Sequence, residues 1–166
     1  MNAPLPETHI LVQIGRQSLR FVQAGRLLLA CPVSTARNGP GERSGSECTP
    51  RGWHAVAEKV GADHAPGSVF VARRWTGELY SPELRATHPG RDWILTRILW
   101  LEGREAGRNQ GGEVDSRARY IYLHGAPDDV PMGVPGSRGC VRMRHGDVLT
   151  LFDLAAVGTP VLITED

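Results

Sequence analysis

Three cysteines, Cys31, Cys48 and Cys140, are the strongest nucleophiles in the chain, and six histidines are the side chains best suited to take a proton from one near neutral pH. A thiol reacts as its thiolate, so a catalytic cysteine needs a neighbour that accepts its proton or stabilises its charge. Cys140 stands in Ser137-Arg138-Gly139-Cys140-Val141-Arg142-Met143, and His124 lies sixteen positions earlier, at the end of the β-prone run Tyr120-Ile121-Tyr122-Leu123. The loop between them is rich in Gly and Pro, stiffened by Pro127, Pro131 and Pro135, and lets a strand-end histidine face a cysteine at the start of the next element. Gly139 has no side chain, so a substrate carbonyl can approach the backbone N–H groups of Gly139 and Cys140, which then serve as an oxyanion hole. The chemistry this allows is acyl transfer, with Cys140 as nucleophile and His124 as base.

The remaining reactive residues read more blandly. An odd cysteine count without a C-x-x-C pair argues against a disulfide framework and against a zinc ribbon, and leaves a Cys31–Cys48 bridge as a minority reading. His9, His54, His64 and His88 lack ligand-like spacing and read as surface or packing residues, and His145 as a solvated or capping one. No metal site and no cofactor is expected. Trp53, Trp75, Trp93 and Trp100 read as core or groove wall, the four arginines from Arg104 to Arg119 as a solvated loop, and Asp128-Asp129 as a turn.

These residues must be positioned by a turn-rich fold. Twenty Gly and twelve Pro, with Arg supplying nearly all the positive charge, favour many short strands over a helical bundle. Ile10–Ile14, Ser18–Gln23 and Leu27–Val33 read as a three-strand meander, followed by a polar surface stretch from Ser34 to Arg51. Gly52–Lys59, Ser68–Arg73, Asp92–Leu101 and Tyr120–Leu123 read as strands, Arg144–Ala156 as a helix from its spacing of Val148, Leu151, Phe152 and Ala155, and Thr159–Thr164 as a last strand. With 166 residues, no repeat and no dividing linker, one domain is expected. A formal charge of +1 gives no field for nucleic acid. Met1–Glu7 lacks the pattern of a secretory signal, and no stretch reaches the ~18 apolar residues a membrane anchor needs. A monomer is the default.

The run Tyr122-Leu123-His124-Gly125 with Ser137-Arg138-Gly139-Cys140-Val141-Arg142-Met143 resembles the L,D-transpeptidase catalytic domain, the YkuD-like family, whose motif is His-Gly followed by Ser-His-Gly-Cys and an apolar-Arg or apolar-Asn pair. Pro32-Val33-Ser34-Thr35, Thr49-Pro50-Arg51-Gly52 and Val157–Ile163 are similar to its flanking motifs, so the likeness runs from about Ile10 to Ile163. The resemblance implies a mainly β fold, a sandwich or barrel-like shell with one or two short helices. It also implies an enzyme of the bacterial cell envelope acting on peptidoglycan stems, in cell-wall biogenesis and cell shape. There the cysteine attacks the carbonyl of the L-centre of the diamino acid at stem position three, releases a terminal D-alanine and leaves a thioester that an amine acceptor resolves. On that pattern Cys140 is the nucleophile, His124 the base, the Gly125 carbonyl an orienter of the imidazole, and Gly139 with Cys140 the oxyanion donors. Ser137 and Arg142 then shape the loop or grip a substrate carboxylate. Arg138 stands where the family usually has His, and is expected either to lower the thiol pKa or to bind a stem carboxylate. Two other readings stay open: an L,D-carboxypeptidase or amide hydrolase using water, and a non-catalytic wall-binding module.

Overall fold

The computed structural model describes residues 4–166, so Met1–Ala3, the start of the segment read above for an export signal, lie outside it. Strands β1 (His9–Gln13), β2 (Ser18–Gln23) and β3 (Arg26–Pro32) form the expected meander. They are followed by β4 (Gly52–Val60), a hairpin of β5 (Ser68–Val71) and β6 (Arg74–Leu79), and the long β7 (Ile94–Gly103). β8 (Tyr122–Gly125) and β9 (Val141–Met143) are short, and β10 (Pro160–Thr164) is the last strand. All belong to one sheet in the order β3-β2-β1-β10-β4-β7-β5-β6, with β8 added to β7 and β9 to β8. The sheet curls into a half-barrel, so the mainly β expectation holds with a single curled sheet. Helix α1 (Pro82–Thr87) is short, and α2 (His145–Leu154) buries Val148, Leu151 and Phe152, as its spacing predicts. Among the described residues no helix is long and apolar enough to cross a membrane.

β7 is apolar almost throughout because both its faces are covered. Leu99 and Leu101 join Leu123, Val141, Met143 and the α2 side chains in the main core. Ile94, Ile98 and Trp100 face a second cluster with Phe70, Tyr122 and Cys140. Strand alternation on β8 therefore sends Leu123 into the core and Tyr122 and His124 to the opposite side. The register of β8 on β7 is set at a bulge, where Leu95 pairs with Gly125 and Ile98 with His124, and where Thr96 is held at φ +76°. Only glycine fits opposite this bulge, since a Cβ on Gly125 would lie 2.5 Å from the Leu95 carbonyl oxygen.

Four sequence expectations change. The strand expected over Ser68–Arg73 ends at Val71, because Ala72 and Arg73 both adopt positive φ and turn the chain into β6 without the Asn-Gly signal of such turns. α1 was legible in Ser81-Pro82-Glu83, with Ser81 capping the Leu84 amide and proline in the first turn, but was not expected. The strand ending in His124 starts two residues late, at Tyr122, and includes His124 and Gly125. Finally, Ser34–Arg51 does not simply run over the surface. Ser34, Thr35, Ala36 and Thr49 are buried against the segment on either side of Cys140: Ser34 N–H donates to Arg142 O at 3.0 Å, Ser137 N–H to Thr35 O at 2.9 Å, and the Thr49 hydroxyl to Gly139 O at 2.9 Å.

The expected solvated stretch from Gly103 to Arg119 also contains a buried knot. Asn109 donates from Nδ2 to Arg51 O at 3.0 Å and Trp53 O at 2.9 Å, while its Oδ1 accepts the Glu105 amide at 2.9 Å. Replacing Asn109 with alanine strips these partners from buried backbone groups. Urea unfolding of Asn109→Ala should show a loss of about 2–3 kcal/mol, against under about 0.5 kcal/mol for the exposed Gln110→Ala beside it.

Candidate active site

His124 is fully buried at the exit of β8, on the side away from the main core. Its Nδ1 lies 2.6 Å from Gly125 O. A carbonyl can only accept, so Nδ1 carries the proton and the lone pair of the neutral ring sits on Nε2. That Nε2 is buried and has no hydrogen-bond partner among the described residues. An unpaired buried acceptor is unfavourable, and it is the state a base needs before it takes a proton.

Cys140 directly precedes β9, whose parallel pairing with β8 sets Leu123 opposite Val141 and His124 opposite Arg142. The half-buried thiol accepts the Tyr122 N–H at 3.3 Å and donates to Tyr120 O, also at 3.3 Å. Sulfur and imidazole line one cavity of about 370 Å³, together with Arg73, Asp92, Arg119 and Tyr122. In this conformation no hydrogen bond joins the thiol to His124, because Tyr120 O holds the thiol proton.

Burial dominates the electrostatics. It pushes the Cys140 thiol up to about 12, the Tyr122 N–H opposing it, Asp92 adding to it, and Arg142 and Arg119 drawing it back. Burial likewise lowers the pKa of His124, against the pull of Asp92 and the Gly125 carbonyl. Both shifts disfavour charge, and so favour thiol with neutral imidazole over thiolate with imidazolium.

The turn carrying Cys140 is held from both sides. Gly139 has φ +134°, a region closed to ordinary side chains, and a Cβ there would meet Cys48 O at 3.2 Å and Ile121 Cδ1 at 3.3 Å. The buried Thr49 hydroxyl accepts the Ala36 N–H and donates to Gly139 O, both at 2.9 Å. Ser137 Oγ accepts the Gly139 N–H at 3.1 Å and donates to Cys140 O at 2.5 Å. Thr35 is buried behind them, its amide donating to Gln17 Oε1 at 2.9 Å and its hydroxyl accepting from Gln17 Nε2 at 2.6 Å.

Some expectations shift against this geometry. Ser137 is buried and its hydroxyl shapes the turn, the first of the two roles expected of it, with its proton given to Cys140 O. The Gly139 N–H is already engaged by Ser137, so the Cys140 N–H is the donor left for an oxyanion. Arg142 is committed to Asp92 at 3.1 Å and to Gly136 O at 3.2 Å, and lines a neighbouring cavity. Arg138 is exposed on the rim of the Cys140 cavity. Cys31 and Cys48 are free. His145 is not merely solvated, since its Nδ1 bonds the Thr96 hydroxyl at the β7 bulge. His54 is buried, with Nδ1 donating to Gly52 O at 3.0 Å and Nε2 accepting from Ser116 Oγ at 2.8 Å, and burial lowers its pKa to about 4. Trp53 does not line the Cys140 cavity.

Sequence reasoning missed Asp92, Arg73, Arg119 and Tyr122 as cavity residues. Tyr122 was detectable, because it shares the strand face of His124; the other three come from separate loops and turns with no local signal. Arg119, expected in a solvated loop, is half-buried with Nη2 donating to Cys48 O at 2.7 Å and Nη1 to Glu42 O at 3.1 Å.

The sequence matches the model of the L,D-transpeptidase catalytic domain, YkuD, over residues 7–163. The chain belongs to that family. A stretch of 48 residues is 42% identical to YqjB of Bacillus subtilis (strain 168), named as an L,D-transpeptidase, and covers 29% of this chain and 27% of that protein. Among solved structures, L,D-transpeptidase 3 from Mycobacterium tuberculosis aligns with a TM-score of 0.59 at 16% identity, over 96% of this chain and 62% of that one. Bdellovibrio bacteriovorus Bd1075 aligns with a TM-score of 0.58 at 21% identity, over 96% and 48%. An Enterococcus faecium L,D-transpeptidase aligns with a TM-score of 0.58 at 16% identity, over 96% and 50%. The chain thus has the family's fold and spans about half to three-fifths of the solved chains it matches.

Two outcomes follow from the geometry. Iodoacetamide labelling of Cys140, read by peptide mass, should be slower in the folded protein than in the denatured chain at pH 7.5 and should keep rising through pH 9, as a raised thiol pKa requires. A plateau below pH 7 would instead reveal a resting thiolate–imidazolium pair. Thr49→Val, which removes one hydroxyl from two buried partners, should destabilise the fold by about 2–4 kcal/mol in urea unfolding, whereas Thr49→Ser should lose less than half of that.

Proposed function

We propose that this chain is a cysteine acyltransferase that cleaves and re-forms amide bonds on peptidoglycan peptide stems, with Cys140 as nucleophile and His124 as base. The observation that carries this reading is the buried imidazole with Nδ1 pinned on Gly125 O and Nε2 unpartnered, lining the same cavity as the half-buried thiol. Family membership supports the substrate class.

On this reading, rotation about the Cα–Cβ bond of Cys140 carries the thiol from Tyr120 O to His124 Nε2. Sγ attacks the scissile carbonyl carbon as Nε2 takes its proton, and the oxyanion is met by the Cys140 N–H, with the Gly139 N–H available once Ser137 releases it. Asp92 favours the imidazolium that results, the same influence that opposes the lowering of the His124 pKa. The imidazolium returns the proton to the leaving amine as the C–N bond breaks, which leaves a thioester. An acceptor amine then attacks the thioester, His124 takes its extra proton, and the thiol re-forms. No cofactor enters these steps. The pair begins neutral, so the base acts during the attack and not before it.

The test is incubation with a stem tetrapeptide, with and without an amine acceptor, with products read by mass. Expected are a transient thioester on Cys140 and, with acceptor, the exchanged or cross-linked peptide. Cys140→Ala should give no product, and His124→Ala should be slower by roughly 10²-fold or more. Trimmed peptide alone, even with acceptor, would mean that water resolves the thioester and the enzyme is a carboxypeptidase. Full turnover by Cys140→Ala would refute the reading.

A further inference from the structure

Positive charge outweighs negative around the Cys140 cavity. Arg73, Arg119 and Arg138 line it, and its one lining carboxylate, Asp92, is paired with Arg142 at 3.1 Å. The three arginines are not equally free. Arg119 donates to the carbonyls of Glu42 and Cys48, which leaves it a structural brace. Arg138 is exposed, and no side-chain hydrogen bond or ion pair among the described residues fixes its direction.

Arg73 is held in place and yet unpaired. Its guanidinium lies 4.6 Å from the centre of the Trp100 ring and 4.7 Å from that of Tyr120, and Nη1 donates to the Tyr122 hydroxyl at 2.8 Å. Arg117, also stacked on Trp100 at 4.8 Å, shows what a satisfied arginine looks like here: it pairs with Glu58 at 2.9 Å and Glu102 at 3.7 Å. Arg73 has no carboxylate within 4.0 Å among the described residues.

The turn that delivers Arg73 is unfavourable in itself. Ala72 has φ +49° and Arg73 φ +65°, left-handed conformations that disfavour side chains by roughly 1 kcal/mol or more each. Asn-Gly would make the same hairpin without that strain. Strain of this kind persists where the surroundings hold it, here the stack on Trp100 and Tyr120. Tyr122 measures the distance to the chemistry: its hydroxyl accepts from Arg73, while its own N–H donates to Cys140 Sγ. One residue, Tyr122, therefore bridges the guanidinium and the Cys140 thiol, and a substrate held at the thiol shares its cavity with Arg73.

We infer that Arg73 reads a carboxylate of the acyl donor, making it a specificity-determining residue next to Cys140. A stacked, pre-ordered guanidinium with free N–H groups suits bidentate recognition of a carboxylate, and little rotamer freedom remains to be lost on binding. On the two residues that flank the scissile bond, two carboxylates have this chemistry, the side-chain carboxylate of a dicarboxylic diamino acid at the third position and the carboxylate of the terminal residue. This inference rests on the acyl-transfer reading of the site for its substrate.

The test is calorimetric binding to Cys140→Ala of three tetrapeptides: the free diacid, its side-chain carboxamide and its C-terminal carboxamide. Amidating the carboxylate that Arg73 reads should weaken binding roughly tenfold or more, and the arm that responds identifies which carboxylate it is. In Cys140→Ala/Arg73→Gln the same amidation should change affinity less than about twofold, whereas Arg73→Lys, which keeps charge without the fork, should retain part of the preference. If neither amidation matters, or if Arg73→Gln weakens all three peptides equally, Arg73 is a hairpin brace and the inference is overturned. Turnover of the diacid by protein with Cys140 intact is measured alongside. Absent turnover with an Arg73-dependent preference would refute acyl transfer alone, turnover without the preference would refute only the role of Arg73, and failure of all three peptides to bind would refute both.

Discussion

The site depends on how one turn of backbone is clamped. Gly139 must hold a left-handed conformation to place Cys140 at the start of β9, and the Thr49 hydroxyl fixes that conformation by joining Gly139 O to the Ala36 N–H. Ser137 closes the other side by bonding Gly139 N–H and Cys140 O. Three stretches far apart in the chain are thereby tied into one unit, Ser34–Ala36, Thr49 and the loop before Cys140. Gly139 O finds its partner in Thr49 and the Ser137 N–H in Thr35, so buried backbone groups of one stretch are satisfied by the others.

The second organising feature is the double-sided strand β7. Its Leu99 and Leu101 anchor the main core, while Ile94, Ile98 and Trp100 build a floor on which Tyr122 and Cys140 rest. The bulge at Thr96 lets β8 approach closely enough that only glycine fits at position 125, and the carbonyl of that same residue orients His124. Packing and tautomer choice thus converge on Gly125. A half-buried thiol and a fully buried imidazole share one cavity, and burial disfavours the charged form of each; nearby dipoles and ions act more strongly there than they would in water.

Much of this was legible in the residues themselves. Strand-prone apolar runs bounded by turn residues located the meander, β4, β7 and β10 within a few residues, helical spacing located α2, and the type and context of Cys140, Gly139, His124 and Gly125 pointed to thiol chemistry. These are local properties: hydrophobic periodicity reports which face is buried, and a motif reports residues whose chemistry requires near neighbours.

Other features follow only from the packed fold. Whether Ser137 and Arg142 face substrate or the protein depends on partners fifty or more positions away in the case of Asp92 and Arg142, and on the shape of a single turn in the case of Ser137. The presence of Asp92 and Arg73 beside the thiol is decided by how β7 and the β5–β6 hairpin curl around β8. The protonation state of the pair is likewise a property of burial, which arises from the whole sheet and not from the two residues. Residue type determines what a side chain can do; its neighbours and its distance from water, which only tertiary structure supplies, determine what it does.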